Sequence, residues 1–368
     1  MRLPDFLLER YFAKYEFSAP YLLCCSDCES FTVEDLLSLE PDASERFKKQ
    51  RLGYSESLGD PELRRLVSGL FQRVPPDGIL ITSGAEEAIF LFMNAALTEN
   101  DHVIVLFPCY QSLFSVASSI GCRMTKWEVK RSGDGWALDL DFLYDSIGPD
   151  TKALIVNFPH NPTGLLPSRR EFDAIIDLVR EKNILLLSDE VYRLLEYDPA
   201  DRLPPAADLY ENAVSICVLS KSYGLAGLRI GWTATRNAGL FKSMASMRDY
   251  TTICNSAPSE FLAKVALRNA DTLLGRNLSI VRHNLCILDE FFAKHSHLFD
   301  WLKPKAGPIA FPRIRWGTDV EDFCIDLVEK KGVLLLPGKY YDYPGGHFRI
   351  GFGRKNMPES LERLAEYL

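Results

Sequence analysis

The chain has 368 residues, which is long enough to bury a large core and to form two or more domains. Its 42 basic and 50 acidic residues give a net charge of −8, which argues against a nucleic-acid or membrane-surface partner. A hydrophobic content of 47% and a charged content of 25% are ordinary for a soluble globular protein.

The N-terminal residues lack the sustained apolar stretch of a secretory signal, and the longest apolar runs are far shorter than the roughly 20 residues that cross a bilayer. We therefore expect a cytoplasmic protein. Nine cysteines in a chain of this size are expected to be reduced thiols. Cys24, Cys25 and Cys28 form a local cluster, but buried or half-buried thiols are the favoured interpretation, and no metal site is predicted.

Short, nearly continuous apolar runs alternate with helical patterns along the chain. Such runs suit strands that are buried on both faces, so they predict an α/β fold with a mainly parallel sheet covered by helices. The five runs are residues 78–82, 102–106, 153–157, 184–188 and 215–219.

One segment between these runs shows clear helical spacing, with apolar side chains at Phe172, Ile175, Ile176 and Val179. It is preceded by Ser168, and Glu171 three residues later predicts a capping box.

After about residue 256 the pattern changes. A long helical stretch, 259–295, leads into alternating patterns around 311–315 and 333–337. This change predicts a second, smaller α+β domain.

Five motifs follow the predicted strand ends or lie near the C-terminus. In order, they are residues 82–89, 157–164, 187–192, 218–232 and 347–352. Together they closely resemble the pyridoxal-phosphate (PLP) aminotransferases of class I/II, the fold type I superfamily of aspartate aminotransferase. The resemblance runs from about Leu52 to the C-terminus. Ligands of such sheets collect at the carboxyl ends of the strands, so these motifs should meet in one crevice.

The resemblance implies the domain organisation of fold type I. A large PLP-binding domain is expected over 46–290. The small domain should combine an N-terminal arm, 1–45, with a C-terminal α+β part, 291–368. The cofactor is expected to be pyridoxal 5'-phosphate, and the substrates an L-amino acid and a 2-oxo acid.

The resemblance also assigns catalytic roles. Lys221 matches the family's Schiff-base lysine, which acts as general base and acid after the substrate displaces it. Asp189 matches the carboxylate that keeps the pyridine nitrogen protonated, although a helix cap is the alternative. Tyr192 and Asn161 match the groups that hydrogen-bond the cofactor's 3-oxygen. Asn161 is also expected near the substrate, and its sequence context alone predicts a β-turn.

A phosphate site is implied at the start of a helix, where backbone N–H groups bind anions. The residues expected to supply them are Gly84, Ala85 and Glu86. The Glu86 side chain should turn outward, away from the phosphate. Val218 stands where the family usually has a phosphate-binding serine, so weaker cofactor retention is expected. Ser220 can compensate in part, and Arg229 matches the phosphate arginine.

Three further residues match family positions. Tyr110 should lie over the cofactor ring, unless it is simply a buried core tyrosine. Tyr54 should reach the phosphate of the neighbouring subunit, which implies a homodimer. Arg349 should bind the substrate α-carboxylate through its two-pronged donor face, the alternative being an edge-strand surface arginine.

The main hypothesis is amino-group transfer by a ping-pong mechanism. The alternative is a PLP lyase or cyclase acting at Cβ or Cγ, because both classes share the cofactor machinery. The family's glycine-led arm segment is replaced here by residues 24–30, and this arm is similar to that of capreomycidine-synthase-like enzymes. Asp27 and Glu29 could meet a cationic substrate side chain or form a solvated turn. A PLP-binding transcription regulator is disfavoured by the acidic charge balance.

Overall fold

A computed structural model describes residues 2–133 and 135–368. Over these residues the chain forms fourteen α-helices: α1 Leu7–Tyr15, α2 Val33–Leu37, α3 Ala43–Lys48, α4 Pro61–Ser68, α5 Gly84–Ala96, α6 Ser112–Ile120, α7 Leu140–Ser146, α8 Arg169–Glu181, α9 Ala206–Leu209, α10 Ala238–Arg248, α11 Ala257–Arg268, α12 Ala270–Lys294, α13 Val320–Lys331 and α14 Met357–Ala365. None of the helices in the described part of the chain is both long and apolar enough to span a membrane.

The strands of the same residues are β1 Ile79–Thr82, β2 His102–Phe107, β3 Arg123–Glu128, β4 Lys130–Ser132, β5 Gly135–Ala137, β6 Thr151–Asn157, β7 Leu185–Asp189, β8 Ala213–Val218, β9 Gly231–Thr235, β10 Phe299–Asp300, β11 Ile309–Ala310, β12 Arg313–Ile314, β13 Leu336–Pro337 and β14 Phe348–Gly351.

A seven-stranded sheet forms the centre of the molecule, with the strand order β1-β9-β8-β7-β6-β2-β3. Strands β3, β2, β6, β7 and β8 are parallel, and β9 runs antiparallel to both of its neighbours. The predicted α/β fold with a mainly parallel sheet is therefore confirmed. The antiparallel β9, which begins at the end of the Lys221 motif, was not among the predicted strands.

Helices cover both faces of this sheet, which explains the continuous apolar runs. In β2, Ile104 and Leu106 join the core that contains α8, whereas Val103 and Val105 join the core that contains α5 and α10. Successive strand residues point to opposite faces, so both sets must be apolar. The predicted helix start at Ser168 is also present, as a complete capping box with Glu171.

The C-terminal part adds helices and short strands. The predicted helical stretch 259–295 is two helices, because α11 ends at Arg268 and α12 begins at Ala270. The alternating patterns around 311–315 and 333–337 form only the two-residue strands β12 and β13. Proline residues Pro312 and Pro337 lie there, and proline cannot donate to a strand ladder. Helix α12 continues past residue 290, and the division into 46–290 and 1–45 plus 291–368 stays a prediction.

The N-terminal arm packs closely against β14. Gly351 N–H donates to Leu23 O at 2.9 Å, and Glu29 N–H donates to Gly353 O at 2.8 Å. A Cβ at Gly351 would lie only 1.8 Å from Cys25 O, so this close approach requires glycine. The strand and the arm segment therefore hold each other in place.

Replacing Gly351 with alanine should destabilise the protein by about 1–3 kcal/mol, because the added methyl group would force the arm away from β14. Urea unfolding measures this change. Gly275→Ala in α12 is the control: its Cβ would meet no atom within 4 Å, and alanine favours a helix interior. Equal stability of the Gly351→Ala variant and the wild type would show that the arm does not depend on this contact.

Candidate active site

A cavity of about 400 Å³ opens at the carboxyl edge of the parallel strands. Most of the residues predicted from the motifs line it, namely Ala85, Glu86, Tyr110, Asn161, Asp189, Tyr192, Ser220, Lys221, Arg229 and Arg349. They come from separate parts of the chain and meet because parallel strands end at one edge. Val218, which ends β8, also lines the cavity.

Lys221 lies just after β8, in the turn before β9. Its Nζ donates a hydrogen bond to Ser26 Oγ at 2.8 Å. Burial lowers the pKa of the Lys221 amine, and the nearby Asp27 carboxylate opposes this change. An amine with a lowered pKa is more often neutral, and the neutral form serves as a nucleophile or base.

Asp189 ends β7 and is buried. Val191 N–H donates to its Oδ1 at 3.1 Å. Burial raises the pKa of Asp189 to about 7 in spite of this hydrogen bond. A carboxylate in such a position gains a partner when a protonated ring nitrogen approaches it. Burial also raises the pKa of the neighbouring Tyr192 phenol.

The start of α5 forms an anion-binding cradle. Gly84 has a φ of +81°, and a Cβ there would lie 2.4 Å from Nη2 of Arg229. Gly84 therefore lets the guanidinium lie directly against the helix start, where the first N–H groups lack helical partners. Ser220 lies in the same wall. A helix N-terminus with an adjacent arginine suits a phosphate group.

The expectation that Glu86 turns outward is wrong. Its side chain lies in the cavity wall, and Ser112 Oγ is 3.4 Å from its Oε1. Burial raises the pKa of this carboxyl, which favours the neutral form. A neutral carboxyl reduces repulsion of a neighbouring anion, so an inward Glu86 is compatible with a phosphate at α5.

Arg349 lies on β14 and is buried, not on the surface. Its Nε donates to Cys24 O at 3.0 Å, and its Nη1 is 3.4 Å from Asn161 Oδ1. Tyr341, which the sequence did not single out, hydrogen-bonds Arg349 and also donates to Asn161 Oδ1 at 3.0 Å. This network fixes the guanidinium plane in the cavity.

The sequence patterns did not predict that α1 lines the cavity. Leu8, Glu9 and Phe12 of this helix line the cavity, and so does Glu16, directly after it. The apolar spacing of residues 8, 11 and 15 could have indicated a buried helix, but not what it covers.

Asp27 and Glu29, in the arm, have other partners than a substrate. Arg354 Nη2 donates to both carboxylate oxygens of Asp27, at 3.1 and 3.0 Å. Glu29 accepts the N–H of Lys355 at 2.9 Å. Asp27 also lines the cavity and Glu29 does not, so a contact between Asp27 and a cationic substrate side chain stays a prediction.

Two tyrosines differ in position. Tyr110 lines the cavity, and its ring centroid is 5.2 Å from that of Phe6. Tyr54 is 92% exposed and lies outside the cavity of its own chain.

The cysteine cluster gives buried, unpaired thiols at Cys24, Cys25 and Cys28. Within residues 2–133 and 135–368, no group of three or more His, Cys, Asp or Glu is arranged to hold a metal ion.

This arrangement of a lysine, a buried aspartate and an anion cradle defines a pyridoxal-phosphate enzyme of the aminotransferase type. The chain belongs to the aminotransferase class I and II family, whose model matches residues 21–368.

Relatives support the same class. Capreomycidine synthase from Streptomyces vinaceus is 34% identical over 371 residues, covering 100% of this chain and 93% of that protein. A PLP-dependent aminotransferase from Streptococcus suis has a TM-score of 0.94 at 32% identity, with coverage of 100% and 98%. The PLP-dependent cyclase OrfR has a TM-score of 0.92 at 30% identity, with the same coverage.

The cofactor is pyridoxal 5'-phosphate, and the residues present fit it. Arg229 and the start of α5 suit the phosphate, whereas Asp189 suits the ring nitrogen and Lys221 the aldehyde.

Asp189 should make the stability of the cofactor-free protein depend on pH. Its pKa is raised from 3.8 to about 7 by burial, so the folded state binds more protons than the unfolded state between these values. Stability is therefore lost as pH rises from about 4 to 7, by up to about 4 kcal/mol. Asp189→Asn should remove this contribution.

The test compares urea unfolding of the wild type and Asp189→Asn at pH 4.5 and pH 7. We expect the variant to gain stability relative to the wild type at pH 7. An equal difference at both pH values would contradict the raised pKa.

Proposed function

We propose that the chain is an aminotransferase that moves an amino group between an L-amino acid and a 2-oxo acid by a ping-pong mechanism. The observation that carries this proposal is the meeting of Lys221, Asp189 and Arg349 in one cavity. Lys221 would bind the aldehyde of the cofactor, and Asp189 would pair with its ring nitrogen. Arg349 would bind the carboxylate of the amino acid.

Bound PLP supplies an electron sink for bonds at the amino acid's Cα. Asp189 would keep a proton at the pyridine nitrogen, and Tyr110 would cover one ring face. Arg229 and the N–H groups of Gly84, Ala85 and Glu86 would hold the phosphate. Because Val218 has no hydroxyl, weaker phosphate retention than in relatives with a serine remains our prediction.

Lys221 would both bind the cofactor and, once released, move a proton at the substrate Cα. Tyr192 and Asn161 would hydrogen-bond the cofactor's 3-oxygen. Arg349 would bind the substrate carboxylate with its planar face. The Tyr341 phenol and Asn161 amide support that orientation through the contacts described above.

A cyclase or lyase acting at Cβ or Cγ is the second candidate. The observation that favours it is the similarity to capreomycidine synthase and to the cyclase OrfR over the full length of this chain. Lys221, Asp189 and Arg349 serve both reactions, because each begins at the substrate Cα.

The deciding experiment incubates the PLP-loaded protein with single L-amino acids, cationic ones included, without an oxo acid. An aminotransferase should convert one equivalent of the amino acid to its oxo acid and lose the aldehyde absorbance of the cofactor. Release of ammonia or a cyclised product, with the cofactor absorbance restored, would assign the second candidate.

Lys221→Ala should reduce either reaction by at least about a thousandfold, since it removes both the cofactor's amine partner and the base. Lys242→Ala, on α10, is a control outside the cavity lining. Turnover near that of the wild type in Lys221→Ala would contradict the role of this lysine.

We also propose a homodimer in which Tyr54 reaches the neighbouring site. Its supports are the 92% exposure of Tyr54 and the similar exposure of two apolar residues, Leu52 at 83% and Tyr250 at 92%. A dimer interface that included these side chains would remove their apolar surface from water.

Mixed dimers test the shared site. Tyr54→Ala and Lys221→Ala chains should each be impaired alone at low PLP concentration. A mixed dimer contains one intact site of two, so purified mixed dimers should recover up to about half of the activity of the wild type. A fully active monomer, or no restoration in purified mixed dimers, would contradict the proposal.

A further inference from the structure

The N-terminal arm places the Ser26 hydroxyl within hydrogen-bond distance of the Lys221 amine. Lys221 Nζ donates to Ser26 Oγ at 2.8 Å, although the two residues are 195 positions apart in the sequence. Ser26 belongs to residues 24–30 of the N-terminal arm.

Ser26 is held firmly from two sides. On one side, Arg354 pairs with Asp27, and a Cβ at Gly353 would lie 2.4 Å from Asp27 O. On the other, a Cβ at Gly224 would lie 2.4 Å from Glu29 O. Gly224 lies three residues after Lys221, so the arm is wedged between the C-terminal segment and the lysine turn. The Ser26 hydroxyl is therefore pre-positioned.

The direction of this hydrogen bond matters, because a Lys221 N–H donates and the Ser26 oxygen accepts. In this direction the nitrogen lone pair of neutral Lys221 stays free to accept a proton.

We propose that Ser26 is a positioning residue that holds the Lys221 amine whenever the amine is not joined to the cofactor. This inference rests on the proposed role of Lys221. The Lys221 lone pair takes the proton from the substrate Cα and later returns it, whereas Ser26 gains and loses no net proton. Its contribution is to restrict a long, flexible side chain to one orientation, which reduces the entropic cost of the proton transfer.

The first measurement uses PLP and the full-length cofactor-free chain. The rate of PLP binding is followed by absorbance from pH 6 to pH 10, and it reports the fraction of neutral Lys221 amine. Ser26 accepts a hydrogen bond from the protonated amine and so stabilises it. In Ser26→Ala the midpoint of the rate profile should therefore move to lower pH. Ser26→Thr keeps a hydroxyl and should keep the midpoint of the wild type.

The second measurement uses the PLP-loaded enzyme and a mixture of the standard L-amino acids in D₂O. Mass spectrometry identifies the amino acid whose α-proton is exchanged and gives the rate. Ser26→Ala should exchange the same amino acid about tenfold more slowly, as expected when one step of general-base catalysis is weakened. Ser30→Ala changes an exposed serine of the same segment and is the matched control.

An unchanged pH midpoint in Ser26→Ala would overturn the proposal, whether or not the exchange rate falls, because general damage lowers the rate without moving the midpoint. A moved midpoint that Ser26→Thr does not restore would also overturn it. The result that would overturn the proposed function is a different one. In that case the wild type itself would show neither PLP binding at Lys221 nor α-proton exchange.

Discussion

The parallel pairing of β6, β7 and β8 is the constraint on which the site depends. Asn157 at the end of β6 pairs with Asp189 at the end of β7, and β8 lies on the other side of β7 and ends at Val218. Asn157 also donates its side-chain amide to Asp189 O at 2.9 Å. A slip of one residue in this register would turn Asp189 to the other face of the sheet. The apolar cores on both faces of the sheet fix this register, and so they fix where the side chains at the strand ends lie.

Burial then sets the charge states. Asp189 is buried and Lys221 is half-buried, and loss of solvent shifts the pKa of each toward the neutral form. A neutral group costs less free energy in a closed cavity than a charged one. Each of the two groups can still become charged when a partner of opposite charge binds beside it. Bound cofactor would therefore give the Asp189 carboxylate a charged partner at the ring nitrogen.

Much of this arrangement could be predicted from the sequence, because it depends on local patterns. Continuous apolar runs indicated the parallel sheet, Ser168 and Glu171 indicated a helix start, and the motif around Lys221 indicated the cofactor. The inward Glu86 could not be predicted, because its orientation depends on Ser112 in another helix. Nor could the roles of Ser26 and Tyr341, since each contacts the site only through long-range packing of the arm or of the C-terminal segment.

The arm and the first helix explain why cofactor motifs alone do not assign the reaction. Phe12 lies over the Arg349 guanidinium, with 6.0 Å from its ring centroid to Cζ, so α1 covers the place where a substrate carboxylate would bind. Glu9 on α1 and Glu16 directly after it also line the cavity. If Arg349 binds the substrate carboxylate as proposed, the substrate side chain would lie beside these residues while its Cα faces Lys221. Selection of the substrate and of the bond that reacts beyond Cα would then depend on a segment that none of the cofactor motifs includes.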